Sequence, residues 1–545
     1  MPPNMKTRLF PILPLLAILA ALFVALPLLA VLLQVFKPDN EGVWRHLVET
    51  LLADYVGNSV ALALGAGLGA AFLGVGTAWI VAMHRFPGRG ILEWALLLPL
   101  AMPTYVIAYL YTDLLQFTGP LQTGLREFFG WQRGDYWFPD IRSLGGAILI
   151  FSLVFYPYVY VMARAAFLEF SGSLMEAARS LGLSTRHAFF RVALPMARPA
   201  VAGGVALVVM ESLAEFGAVS YFGVPTFTTG IYRAWYAFGS PVAAAQLAAA
   251  LLGVVALVLL LEKVSRSRAR FHVTGHRLPI LPQLAPTGKI LAWFACLLPL
   301  AGGFILPAAL LLEMAIRSGD TQFGEKYLGL AFNSFSLALT ASILTAALAL
   351  LLVYAERLHP GRVIAVARRT ASLGYAVPGT VIAVGALIPL AALDNMLIEF
   401  MSERFGLTFG LLLTGSTVAL IFAYIARFLA VAQNPVESSM ARIRPSIDDA
   451  ARSLGAGGSA LLARVHVPML AGGIISAVLL VFVDVMKELP ATIVLRPFNF
   501  ETLATQVYIL AADERLSEAA TPSLAIVGVG LIPIILLSRA IRRQK

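Results

Sequence analysis

Residues 176–195 read EAARSLGLSTRHAFFRVALP, and residues 449–468 read DAARSLGAGGSALLARVHVP. At an offset of 273, both show an acid, then Ala-Ala-Arg-Ser-Leu-Gly, nine residues, and Val-x-[Leu/Val]-Pro. Each copy lies in a basic stretch between long apolar ones, so the duplicated unit is a loop with the spans that flank it. Ala177, Ala178, Ala450 and Ala451 let a short helix lie close against another surface. Gly182 and Gly455 supply the backbone freedom for a turn directly after that helix. Pro195 and Pro468 restrict the chain before the next span. The pattern predicts helix, turn, helix in both copies, opened by Glu176 and Asp449. A plain cap on the bundle would need no such match; two copies at one spacing point to docking.

The apolar stretches set the fold class. Of 545 residues 59% are hydrophobic and 13% charged, with a mean hydropathy of +0.83, which excludes an ordinary soluble domain. A bilayer core of ~30 Å takes about 20 apolar residues per helix. Twelve segments qualify, roughly 9–36, 56–83, 91–116, 143–168, 197–222, 241–262, 290–316, 330–355, 365–392, 407–432, 470–494 and 521–540. The first is longer than the apolar part of a signal peptide and lacks a following Ala-x-Ala site, so it reads as a retained span. Most of the 40 Lys and Arg residues fall in alternate loops, including Arg85, Arg89, Arg368, Arg369 and the tail from Arg542. That bias places both termini in the cytoplasm. The net charge of +10 is scattered over these loops, so topology explains it and nucleic acid is not implied. Cys296 stands alone among apolar neighbours, which excludes an internal disulfide and fits packing.

The repeat reaches into the spans. Asn58-Ser59-Val60-Ala-Leu-Ala-Leu parallels Asn333-Ser334-Phe335-Ser-Leu-Ala-Leu, and Pro103-Thr-Tyr-Val-Ile-Ala parallels Pro378-Gly-Thr-Val-Ile-Ala, both at an offset of 275. The expected fold is an all-α integral membrane protein with twelve transmembrane helices. These form two tandem six-helix halves, 1–263 and 290–545, joined by a basic, proline-containing cytoplasmic linker, 264–289. An even number of spans per half gives both copies one orientation, related by a pseudo-twofold along the membrane normal. Glycines at 65, 67, 69, 74 and 76 form a small-residue face suited to close helix packing.

The loop motif resembles the "EAA" loop of permease subunits of binding-protein-dependent ATP-binding-cassette importers of the type I fold. That pattern is Glu-Ala-Ala, three residues, Gly, nine residues, Ile-x-Leu-Pro. Val192 and Val465 stand at the Ile place; the second copy also has Asp449 for Glu and Val467 before Pro468. The resemblance covers essentially the whole chain and implies that each loop is a coupling helix fitting a cleft in a separate ATPase, present in two copies. It also implies a periplasmic substrate-binding protein and a bacterial inner membrane. No G-x-x-x-x-G-K-[ST] occurs, since Gly288-Lys289 lacks the upstream glycine and the following hydroxyl. ATP is therefore expected to be used by the partner, with no cofactor bound by this chain, which is expected to be a transport subunit and not an enzyme; no His/Cys metal cluster is evident, and no metal site is assigned.

Ionisable groups within spans are costly and mark pathways. The fifth span of the first half contains Glu211 and Glu215, and its counterpart contains Asp484, Lys487 and Glu488. Each acid pair is spaced i,i+4, which on a helix puts both carboxylates on one side. Under the pseudo-twofold the four acids and Lys487 would line a central cavity or its mouth, unless they only satisfy broken-helix backbone or pair with Lys487 and Arg496. Such a lining disfavours sulfate, phosphate or molybdate, which call for Arg, Lys or helix N-termini. FGAVSYFGVPTFTTGIYRAWY (216–236) and VDVMKELPATIVLRPFNFETLATQVY (483–508) resemble the ferric-iron branch of these permeases, which implies Fe(III) import. Similar loops occur in relatives carrying thiamine, polyamines or aminoethylphosphonate. Rivals from other classes are a proton-coupled secondary transporter relaying through the four acids, and a membrane scaffold whose loops dock a signalling partner.

Overall fold

The computed structural model describes residues 12–38, 42–181, 184–267, 283–317, 324–407 and 410–543. Among these the chain is helical with no strand, save one isolated bridge between Arg85 and Gln283. Eleven helices are long and apolar enough to cross a membrane, and up to twelve if the pair Arg89–Ala101 and Thr104–Phe129, bent by 91°, is one broken span. In chain order, the segments used below are α1 (Leu13–Gln34), α2 (Leu52–Met83), α3 (Thr104–Leu115), α4 (Leu144–Ser180), α5 (Leu194–Ala214), α6 (Gly217–Tyr221) and α7 (Phe227–Tyr236). They continue with α8 (Pro286–Leu300), α9 (Glu325–Leu358), α10 (Gly379–Phe405), α11 (Thr417–Ala441), α12 (Pro445–Ser453), α13 (Val467–Met486), α14 (Pro490–Leu495), α15 (Leu503–Ala512) and α16 (Leu516–Arg543).

The third span of each half departs from its expected bounds for one reason. Proline crowds the residue before it out of the helical region. Met102 before Pro103 is extended at ψ 117°, and Val377 before Pro378 is extended at ψ 130°. The helices α3 and α10 start only after those prolines. The span expected over 365–392 is thus a short helix, Arg362–Ala371, followed by a break and then α10. Four short helices, α6, α7, α14 and α15, occupy stretches that hydropathy alone gives to span ends and loops.

The chain packs as two compact units that cut across the sequence repeat: Met1–Trp44, Ile231–Ala249 and Phe323–Gln506 in one; Arg45–Gly230, Ala250–Gln322 and Val507–Lys545 in the other. In the first unit α1 lies against α10, where Gly385 leaves room for the backbone at Pro27. A span that opens the first sequence half therefore packs among helices of the second. In the other unit the Tyr111 hydroxyl donates to the Gly302 carbonyl (2.5 Å) just past α8, and the Tyr109 hydroxyl meets that of Ser523 on α16. There α2, α4 and α5 form the core. A Cβ on Gly74 would come within 2.8 Å of the Tyr156 carbonyl and the Val159 side chain, so α2 and α4 touch nearly backbone to backbone. Gly65 and Gly69 sit equally close to Ile148 and Ser152, whereas Gly76 faces open space.

The Asn-Ser repeat has a hydrogen-bonding purpose. In one unit Asn58 Nδ2 donates to the Pro225 carbonyl (3.0 Å) and Ser59 Oγ accepts from the Phe227 amide (3.1 Å). In the other, Asn333 Nδ2 donates to the Glu501 carbonyl (3.1 Å) and Ser334 Oγ accepts from the Leu503 amide (2.7 Å). The first amides of α7 and α15 have no partner within their own helix. A hydroxyl from α2 or α9 supplies it, pinning each short helix to a long one.

Candidate functional site

The second docking loop starts where Pro445 stops any continuation from α11. α12 carries Asp449, Ala450 and Ala451, and Gly455 beyond it adopts φ +84°, the left-handed turn expected of it. A short helix, Gly458–Leu461, and a π-helical turn, Leu462–His466, lead into α13 with Pro468 in its first turn. The first loop is built differently. Glu176, Ala177 and Ala178 belong to the last turns of α4, because Gly172 stands at the repeat position of Pro445 and lets the helix run on. The expected separate helix is thus present in the second copy only. Gly182 and the side chains of 176–178 lie outside the described residues. A second π turn, Phe189–Ala193, precedes α5 with Pro195 in its first turn. Both loop tips present the leucine of Ser-Leu-Gly to solvent: Leu181 is 82% and Leu454 88% exposed. Two knobs at one repeat position, each before the turn, suit insertion into a partner's cleft. The identical tripeptide was the signal for them.

Each loop is anchored to the span beside it. In the second, Arg357 Nε and Nη2 donate to the Asp448 carboxylate (3.0 and 3.2 Å), and His466 Nε2 lies 2.8 Å from it. Burial pushes the Asp448 carboxyl up, but the Arg357 and His466 hydrogen bonds outweigh it and hold the group below its ordinary range. Removing one partner of such a buried pair costs about 3–5 kcal/mol. In the first, Trp79 packs on Phe167 and Phe189 with ring centroids 5.4 and 4.8 Å apart.

Both fifth spans break at the acids. α5 ends at Ala214 and Glu215 is extended at ψ 138°; α13 ends at Met486, before Glu488. Glu211 with Glu215, and Asp484 with Glu488, therefore do not share a helical face, since the chain leaves the helix between them. Each second acid turns to the exposed amides of the short helix that follows, where the dipole also favours it. Glu215 accepts from Ala218 (3.0 Å) and Val219 (3.3 Å) and from the Thr104 hydroxyl (2.9 Å). Glu488 accepts from Ala491 and Thr492 (both 2.9 Å) and from Arg427 Nη1 (2.8 Å). The counterpart of Thr104 is Gly379, whose missing side chain makes room for that guanidinium. The first half thus satisfies its acid with amides and the Thr104 hydroxyl, while the second, where the Thr492 hydroxyl also donates to Glu488 (2.6 Å), adds a cation. Lys487 Nζ pairs with Asp484 Oδ1 at 3.0 Å. Oxygens directed at backbone amides do not present charge to a passing solute, so the case from Glu215 and Glu488 against oxyanions lapses.

Residues 70–270 match the family described as binding-protein-dependent transport system inner membrane component. The molybdenum transport system permease protein ModB of Escherichia coli K12 is 30% identical over 206 residues, 36% of this chain and 87% of that protein. The chain belongs to this permease family. The Fe(3+)-transport system permease protein FbpB 2 of Haemophilus influenzae is 27% identical over 499 residues, 90% of each chain. The sulfate transport system permease protein CysT of Salmonella typhimurium is 29% identical over 205 residues, 36% of this chain and 71% of that one. The chain is therefore a multi-pass inner-membrane permease of an ATP-binding-cassette importer. It is the transport subunit rather than the enzyme, and it works with an ATPase and a binding protein.

Proposed function

We propose that this permease imports ferric iron handed over by a periplasmic binding protein, by alternating access of two six-span halves with both termini in the cytoplasm. The observation that carries the substrate is the extent of likeness. The Fe(3+) permease is matched over 90% of both chains, whereas the molybdenum and sulfate permeases, matched over 87% and 71% of their own length, correspond to 36% of this one. Two copies of the ATPase dock at 171–195 and 444–468, taking Leu181 and Leu454 into their clefts; ATP is bound there and not by this chain. Closure of the ATPase pair moves the loops, and the moved spans open the site to the binding protein. Glu211, Asp484 and Lys487 line the route, while Glu215 and Glu488 shape it by fixing the two helix breaks.

An oxyanion cargo is the second reading, favoured by the molybdenum and sulfate relatives and by the inward commitment of Glu215 and Glu488. Uptake of radiolabelled ferric iron, molybdate and sulfate by cells with and without the chain separates the two. Thiamine, putrescine and aminoethylphosphonate serve as competitors. Iron uptake that depends on the chain is the expected result. Dependence of molybdate or sulfate uptake instead overturns the substrate. Uptake that survives ATP depletion but collapses with an uncoupler overturns the ATP-driven mechanism.

A further inference from the structure

The second docking loop is fastened by an ion pair as well as by an aromatic contact, Tyr354 on His466, and the ion pair sits on a helix whose far end holds the entry to α15. Arg357 lies at the end of α9. Besides Asp448, its guanidinium donates to the carbonyls of Met440 (3.2 Å) and Ile443 (2.9 Å). One side chain thus clamps α12, the end of α11 and the link between them. At the far end of the same helix, Asn333 and Ser334 hold Glu501 and Leu503, the entry to α15. From Ser334 to Arg357 is about 35 Å of helix at 1.5 Å per residue, and α9 runs unbroken over it without proline.

We infer that α9 is a rod carrying displacement of the second docking loop to residues 501–505, and that Arg357 is the positioning residue that locks the loop to it. Among the described residues the first loop shows no counterpart of that ion pair. Ala82, Met175 and Ala193 stand at the repeat positions of Arg357, Asp448 and His466, and Trp79 with Phe189 provides the contact. Apolar contact is non-directional and lets surfaces slide; a forked guanidinium on a carboxylate fixes one geometry. The loops are therefore mechanically inequivalent, the second driving and the first following. This rests on the reading of both loops as ATPase-docking elements.

The test uses the full transporter, reconstituted with its ATPase and binding protein, and reads substrate moved per ATP hydrolysed. The decisive variant is Arg357→Met/Asp448→Leu, which replaces the ion pair by apolar side chains of similar length; Asp448→Leu alone, which strands His466 in the same way, controls for the lost His466 contact. Arg357→Lys keeps the charge but not the fork. The double variant should still bind the ATPase and hydrolyse ATP, yet move about tenfold less substrate per ATP, with Arg357→Lys intermediate. Trp79→Leu in the first half should lower the ratio by less than about twofold. An unchanged ratio in the double variant, or an equal loss from Trp79→Leu, overturns the inference. Loss of ATPase binding in the double variant also overturns it, because Arg357 would then only hold the docking surface in shape. A cysteine at position 454 (Leu454→Cys) in the otherwise unaltered protein should cross-link to the ATPase. Its failure overturns the docking reading and this inference together, whereas a cross-link with coupling intact in the double variant overturns this inference alone.

Discussion

Glu488 and Glu215 occupy the same repeat position with different partners, which makes a transplant between the halves possible. The perturbation is Arg427→Val, installing the residue found at the repeat position Val154. Glu488 is then left buried, with a side chain only 2% exposed, and without its guanidinium. The amides of Ala491 and Thr492 and the Thr492 hydroxyl remain, so the loss falls on the ion pair and is at most about 3–5 kcal/mol, the cost of stranding a buried charge. Gly379→Thr then supplies the first half's answer. Thr104 Oγ1 reaches Glu215 at 2.9 Å, and a Cβ at 379 would crowd Glu488 Oε1 at 2.8 Å even with the Arg427 side chain gone, so the carboxylate at the end of its flexible side chain must turn slightly to accept from the new hydroxyl. A hydrogen bond to a charged group contributes about 1.5–3 kcal/mol, so the double variant should recover roughly half of the loss. Gly379→Thr alone should be harmful, because its side chain would overlap the guanidinium. The assay is thermal unfolding of the detergent-solubilised permease, scored with uptake in cells. A double variant no more stable than Arg427→Val would refute the claim that hydroxyl and guanidinium perform the same task.

Three further outcomes follow from the geometry. Gly455→Pro should abolish uptake while the protein stays folded in the membrane, since Gly455 sits at φ +84° and proline is locked near −65°; normal uptake would sink the role of that turn. The Asp448 carboxyl is held below its ordinary 3.8, so its contribution is complete above that value and disappears as pH falls through the lowered one. Hydrogen exchange of the 445–453 amides, corrected for intrinsic rate, should accelerate at the acid end in the wild type but not in Asp448→Asn; a pH-independent wild type would contradict this. Gly74→Val should destabilise the α2–α4 contact by about 1–3 kcal/mol through overpacking, read as a lower melting temperature, whereas Gly76→Val should be nearly neutral.

Fold class was legible because long apolar segments and a duplicated loop leave few alternatives. Span boundaries were less so. Pro103 and Pro378 stop helices in ways a hydropathy average passes over, and α6 and α14, five and six residues long, are too short to leave a periodic signal. The loops were legible in outline. Gly455 and both prolines do what their chemistry requires, but the fusion of Glu176 with α4 turned on glycine at 172 where the other copy has proline. The acids were misread in one respect. Spacing i,i+4 implies a shared face only if the helix continues, and it ends at Ala214 in one half and Met486 in the other. Arg357, Asp448 and His466 were missed because they lie far apart in sequence and have no counterparts in the other half to draw attention to them.

The last point extends to the whole duplication. Glu93 pairs with Arg164 in one half, and at the same repeat positions Arg368 pairs with Glu437 at 2.8 Å, with the charges exchanged. At the helix break the Arg427 guanidinium takes the place of the Thr104 hydroxyl, and beneath the second loop an ion pair is added to an aromatic contact that both halves have, Trp79 on Phe189 and Tyr354 on His466. In a symmetric dimer of separate subunits each substitution appears on both sides, so a pair cannot change on one side alone. Fusion removes that constraint, because each half can exchange both members of a contact independently. What is preserved between the halves is therefore the need at each site: a bridge between two segments, a capped helix, an anchored loop. Residue identity survives where the backbone itself sets the requirement, as at Asn58 and Asn333, Pro195 and Pro468.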